Sequence, residues 1–271
     1  MIAAVLATAA LLIAIPAPAG ASGGQVGVFE DDTSVLQNPA PTLQELRHLG
    51  VSTVRVLVRW SDFAPSPTSR TRPNFNAADP NAYPPGVWSQ LDAAVAAARA
   101  DGIQLMLNPT AFAPLWAQGS NPQKFGAHYD PNFAFMPSAN EYKLFVEAIA
   151  KRYPSVHTWE LYNEPNFGED LAPQGINHST VLYSPVMYRG LVNAAWSALR
   201  ATGHRRDKTI LGALAAAGAH VPSRSGTGLP GAYGETPPLE FVRELYCLSA
   251  RYRPYSGSAA KARNCPTNAA A

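Results

Sequence analysis

Five times along this chain a short run rich in β-branched and aliphatic residues is followed by a longer run of helical character. The β-rich runs lie at residues 25–29 (QVGVF), 53–58 (TVRVLV), 103–107 (IQLML), 156–162 (VHTWELY) and 209–214 (TILGAL). The helical runs lie at 42–49, 88–100, 139–152, 185–202 and 238–250, and Gly50, Gly102 and Gly203 stand where three of them should stop. Strands that alternate with helices in this way predict βαβ units and a parallel sheet.

The connections sharpen the prediction. Those that enter strands are short, at 50–52, 101–102 and 153–155. Those that leave strands run over 59–86, 108–137, 163–184 and 215–237, and are rich in Pro, Asn and aromatics. Short loops in and long loops out mark a (β/α)8 or TIM barrel, whose site is built from the loops at the C-terminal strand ends. A doubly wound open sheet would show a Gly-rich phosphate turn after an early strand, and Gly27-Val28-Phe29-Glu30 lacks that spacing. The count stops at five units, and five strands cannot close a barrel. The expectation is therefore an α/β fold, a (β/α)8 TIM barrel truncated to about its first five βα units, within a domain spanning residues 22–271.

Residues 2–19 are almost wholly apolar and end in Pro16-Ala17-Pro18-Ala19, with Ala19-Gly20-Ala21 as a small-residue cleavage site. This reads as a signal peptide over residues 1–21 and an exported, extracellular protein, although no Lys or Arg precedes the apolar run. Pro16 and Pro18 cut that run short of a membrane span, so no stable membrane association is expected. In an exported chain two nearby cysteines pair, which predicts a bridge between Cys247 and Cys265. Hydrophobic residues make up 46% and charged residues 15% of the 271, enough apolar content for a sizeable core. The formal charge is +2, with no recurring basic face, which argues against a nucleic-acid partner. The one dense basic stretch, His204-Arg205-Arg206-Asp207-Lys208, reads as a solvated helix terminus.

The most informative segment is Trp159-Glu160-Leu161-Tyr162-Asn163-Glu164-Pro165-Asn166, where a strand ends in Asn-Glu-Pro and a long loop begins. Here the sequence resembles the glycoside hydrolases of clan A, the cellulase-like and β-xylosidase-like retaining glycosidases. The resemblance covers residues 25–250. It implies that Glu164 is the catalytic acid/base and that Asn163 binds the sugar 2-hydroxyl. A second match, Ser52 to Trp60 followed by Phe63-Ala64-Pro65, resembles the second strand of cellulase-like enzymes. It implies that Arg55 orients the nucleophile carboxylate, although Arg59 shares its parity and stays open for that place. The chemistry has its own logic: cleaving a glycosidic bond needs a proton for the leaving oxygen and a second carboxylate facing the oxocarbenium-like carbon. Pro165 biases Glu164 towards extended backbone, and an apolar setting among Tyr162, Trp159 and Phe167 would raise its pKa.

Other residues carry alternatives. Glu30, in the acidic run after the first strand, binds sugar or belongs to a solvated turn in which Asp32 caps a short helix. Trp60, Trp116 and Tyr129 lie in loops after strands, and either stack on sugar rings or pack the rim. Asn108-Pro109-Thr110 ends the third strand, where many relatives of the resembled clan place a His. Glu160 is expected to face away from Asn163. His128, His178 and His220 are dispersed without a ligand spacing, so neither metal nor cofactor is expected. The resemblance implies a nucleophile Glu at the end of a seventh strand; Glu235, Glu240 and Glu244 fall around the fifth helix and cannot supply it. The expected function is retaining hydrolysis of β-linked oligo- or polysaccharides by a protein monomeric when complete, with this chain alone lacking the nucleophile. The rival reading is a non-catalytic carbohydrate-binding or inactive barrel fragment.

Overall fold

A computed structural model describes residues 26–119, 134–175, 181–216, 218 and 234–266. Its elements follow in the order β1 (Val28–Glu30), α1 (Ser34–Gln37), α2 (Pro39–His48), β2 (Thr53–Arg59), α3 (Trp60–Phe63), α4 (Ser89–Asp101) and β3 (Gln104–Thr110). Then come α5 (Ala139–Arg152), β4 (Thr158–Leu161), α6 (Ser184–Ala201), β5 (Lys208–Leu211), α7 (Pro238–Leu245) and α8 (Gly257–Ala262). The five strands form one parallel sheet in the order β1-β2-β3-β4-β5. Each strand pairs with the next in sequence, as in five consecutive units of a (β/α)8 barrel and unlike a doubly wound sheet, whose order reverses.

Strand alternation sorts the side chains. In β2, Val54, Val56 and Val58 are buried on the helix side, while Arg55 lies on the other face. In register with them, β3 turns Leu105 and Leu107 to the helices and Asn108 to Arg55's face. Trp159 and Leu161 of β4 continue the helix-side layer, against which α5 buries Tyr142, Phe145, Val146 and Ile149. The ends of α5 show why it forms where the sequence predicts. Ser138 accepts a hydrogen bond from the Glu141 N–H at its start, and Lys151 and Arg152 fill its last turn. Burying an apolar face of this kind contributes about 1.5–3 kcal/mol for each large side chain.

Elsewhere the fold departs from expectation. Asp31, not Asp32, caps the first short helix, its Oδ1 accepting from the Thr33 and Ser34 N–H groups at 3.0 and 2.6 Å. Asp32 instead pairs with Arg59. The fifth helix stops at Leu245 rather than at 250, and a further helix, α8, forms in the Ser/Ala/Lys-rich tail. Both changes follow from packing at the C-terminal end. Arg189 of α6 donates to the carbonyls of Glu244 and Leu245 and to those of Arg263 and Asn264. Cys247 and Cys265 are bridged, with Cα atoms 5.9 Å apart. His204, which the sequence places in a solvated terminus, is 4% exposed beneath the α6–β5 turn.

Candidate active site

The site is assembled around one buried guanidinium, Arg55 of β2, between the C-terminal end of β1 and the strand and turn at the end of β4. Arg55 Nη1 donates to Glu30 and Nε donates to Glu160, while Nη2 donates to Asn163 Oδ1 at 2.7 Å. Asn108 Nδ2 donates to the same Glu160 carboxylate at 2.7 Å. The structure thus brings Glu30, Arg55 and Asn163 together, while Arg59 pairs with Asp32 and acts on the site through its charge near Asp170.

Glu160 corrects the sequence reading. It lies three positions before Asn163, so an unbroken strand would send the two to opposite faces. Tyr162 has φ 73° and Glu164 has φ 38°, both in the left-handed region. The turn at Tyr162 resets the alternation, and Glu160 and Asn163 both reach Arg55. Left-handed backbone in residues other than Gly costs on the order of 1–3 kcal/mol and collects at functional sites. Its supports here are visible. Asn163 N–H donates to Thr110 Oγ1 at 2.8 Å, Glu164 N–H donates to the Ala213 carbonyl at 2.9 Å, and Tyr162 O–H donates to the Asp170 carbonyl at 2.8 Å. Gly212 lets β5 come this close, because a Cβ there would stand 2.6 Å from the Tyr162 carbonyl oxygen.

Glu164 is half-buried, and its carboxyl pKa is raised above the ordinary value. Burial is the main cause. Arg55 opposes the shift, and the negative charges of Glu30 and Glu169 add to it. Sequence reasoning missed Asp170. Its Oδ2 accepts a 2.7 Å hydrogen bond from Asn163 Nδ2. Burial, opposed by that hydrogen bond and assisted by Glu164 and Glu169, pushes its pKa up to about 7. Asn163 is therefore gripped from both sides, by a donor on its oxygen and an acceptor on its nitrogen. One amide hydrogen remains for another partner. No periodicity points to Asp170; only its position seven residues beyond Asn163 in the same loop could have suggested it.

Two aromatic candidates lie elsewhere. Trp60 is 1% exposed, stacked on Phe145 at 5.6 Å and edge-on to Trp116 at 6.1 Å. Trp116 is also buried, its Nε1 donating to the Pro65 carbonyl at 3.0 Å. Neither offers a face to a sugar ring. α3 begins at Trp60 itself and tucks the ring under the sheet rim. Tyr129, His128, His178 and His220, like the signal segment 1–21, lie outside the described residues. Among the described residues no helix is long and apolar enough to cross a membrane.

A half-buried carboxyl, an amide and an arginine converge on one face of consecutive parallel βα units, the layout of a (β/α)-barrel protein, whose site lies at the C-terminal strand ends. Residues 20–213 match cellulase, glycosyl hydrolase family 5, and the chain belongs to that family. Among solved structures it is similar to Fpglu1 from Fervidobacterium pennivoraus, at 17% identity and TM-score 0.46, covering 65% of this chain and 40% of that one. It is similar to the family 1 β-glucosidase from Thermotoga maritima, at 14% identity and TM-score 0.41, covering 63% of this chain and 36% of that one. A family 39 glycoside hydrolase from Bacteroides cellulosilyticus WH2 is similar at 15% identity and TM-score 0.39, covering 68% of this chain and 30% of that one. The chain thus spans 30 to 40% of the length of these structures. No curated protein sequence matches it.

Proposed function

We propose that this chain provides the acid/base half of a retaining glycosidase that hydrolyses β-linked oligo- or polysaccharides, with Glu164 as the proton donor. The observation that carries this reading is the place of Glu164, a half-buried carboxyl that follows Asn163 just beyond β4 in the field of Arg55; burial there favours its protonated form. A protonated Glu164 delivers its proton to the leaving oxygen as the C–O bond breaks. The resulting carboxylate then takes a proton from the water that attacks the glycosyl intermediate. The free amide hydrogen of Asn163 faces the substrate hydroxyl beside the reacting carbon. A raised pKa keeps the acid form present to higher pH, so activity falls on the alkaline side as pH rises through it.

The retaining reaction needs a second carboxylate about 5–5.5 Å from the first. Glu30 and Glu160 are held by Arg55, and Asp170 is held by Asn163. In this reading the nucleophile is a further carboxylate, contributed by a later strand of the complete barrel. Export is part of the same reading, and the Cys247–Cys265 bridge supports an oxidising destination.

The test is kinetic. In the protein carrying the complete barrel, Glu164→Gln should lower kcat/KM on unactivated β-linked oligosaccharides by roughly 10²–10⁴-fold. The loss should be smaller on aryl glycosides whose leaving groups need no proton. The 271-residue chain alone should remain at background. Undiminished turnover by Glu164→Gln removes the central assignment, and full activity of the 271-residue chain removes the placement of the nucleophile.

A further inference from the structure

Far from Glu164, at the N-terminal end of the strands, the fold gathers three residues that the sequence leaves scattered. His157 lies on the turn into β4, and His204 and Asp207 lie on the turn between α6 and β5. One nitrogen from each histidine and one Asp207 oxygen all lie within 4.8 Å of one another. His204 Nδ1 is 2.5 Å from Asp207 Oδ2, and His157 Nδ1 is 3.0 Å from Asp207 Oδ1.

The partners of His204 decide how to read this cluster. Its Nε2 lies 3.0 Å from the Ala150 carbonyl oxygen, which can only accept, so that nitrogen carries hydrogen. In the neutral ring Nδ1 then presents a lone pair to a carboxylate lone pair. A cation must sit between them, either a proton or a metal ion. The second contact of each group fits a metal. A ligating imidazole characteristically donates its other N–H to a backbone carbonyl, and a ligating carboxylate is itself hydrogen-bonded. Asp207 Oδ2 accepts from Trp159 Nε1 at 2.9 Å, and the Trp159 ring packs edge-on to His204 at 5.0 Å.

We propose that His157, His204 and Asp207 form a binding site for a divalent transition metal of the zinc type, which ties the α6–β5 turn to β4. Two imidazoles and one carboxylate are a zinc donor set, with water as the fourth ligand. Bonds of about 2.0–2.1 Å place tetrahedral ligand atoms about 3.3 Å apart. The His204–Asp207 and His157–Asp207 contacts, made to different carboxylate oxygens, widen by less than about 1 Å to reach that spacing, and the two imidazole nitrogens start within 4.8 Å of each other. His157 supplies the freedom to do so, because its side chain is 69% exposed and borders a cleft lined by Arg99, Gln104 and Ser155. His204 is buried and pre-oriented, so the site has one fixed and one swinging histidine. The position suits a brace: this end of a barrel serves stability, not chemistry. The sequence reading expected no metal because His128, His178 and His220 are dispersed, and it took the stretch that holds His204 and Asp207 for a solvated helix terminus.

The experiment is a calorimetric titration of the chelator-treated 271-residue chain with Zn²⁺ at neutral pH, paired with the visible spectrum of the Co²⁺ form. The expected result is one ion per chain in the micromolar range or tighter, a tetrahedral Co²⁺ band, and a higher Tm with metal. His157→Ala removes a ligand and should weaken binding by more than the roughly 10–100-fold that loss of an outer-shell partner costs, while changing the Tm of the metal-free protein little, because its contact with Asp207 is exposed. Binding that His157→Ala leaves intact overturns the proposal. So does a nitrogen NMR signature in which both ring nitrogens of His204 stay protonated under excess Zn²⁺, since the cation is then a proton.

Discussion

Replacing Asp170 by an asparagine tests the electrostatics of the site in a single substitution. In the folded chain the Asp170 pKa is about 7, raised from 3.8 chiefly by burial. The native state therefore binds this proton more tightly than the unfolded chain does. Between about pH 4 and 7 the unfolded state has already lost the proton while the native state keeps it, so stability falls as pH rises across this window and levels off above it. At about 1.36 kcal/mol per pH unit, an interval of about three units corresponds to at most about 4 kcal/mol lost by about pH 8. The amide of Asp170→Asn would keep an oxygen to accept from Asn163 Nδ2 and would have no proton to lose. Urea unfolding of both proteins from about pH 4 to 9 gives the difference curve. Other titrating groups cancel in it to first order. We expect near coincidence at about pH 4 and a growing advantage for Asp170→Asn up to about pH 8, of a few kcal/mol. Parallel stability curves across the whole range would refute the assignment of a buried, proton-holding carboxyl at this position.

Arg55→Met leaves Glu160 buried beneath the site without its cation and should destabilise the chain by about 3–5 kcal/mol in urea unfolding. Adding Glu160→Gln should recover part of that loss, and a double variant no better than the single one would count against the pairing. Cys247→Ser opens a loop closed across a sequence separation of 18 and should lower stability by about 3 kcal/mol. Thiol titration of the unmodified, denatured, non-reduced chain should meanwhile find neither cysteine reactive.

How much of this is legible in the sequence differs by residue, for physical reasons. α5 falls where its pattern places it because cap, apolar face and basic last turn all agree locally. Five parallel strands in sequential order are readable because loop lengths and periodicity report chain direction. Arg55 and Arg59 share parity, and only the depth of Arg55 beneath Glu30 and Asn163 separates them. Glu160 escapes a sequence reading because parity holds only along an unbroken strand, and the left-handed Tyr162 breaks this one. Trp60 has the sequence setting of an exposed loop residue, yet α3 starts at that residue and turns its ring into the core. Asp170, His157 and His204 acquire their surroundings only from contacts across the fold, which local pattern does not encode.

The arrangement around Arg55 bears on the order in which the chain can fold. One partner, Glu30, lies 25 residues away and is available early; the other, Glu160, lies 105 residues away on β4. A partly folded form with only β1 to β3 docked would bury the guanidinium with one of its carboxylates missing, and β4 alone would bury Glu160 without its cation. Either half costs several kcal/mol that the joined pair does not. The first four strands therefore gain stability as a block, unlike a repeat protein whose units add one by one. Native-state hydrogen exchange should show β2, β3 and β4 opening together, with no partially unfolded form that keeps β2 and releases β4.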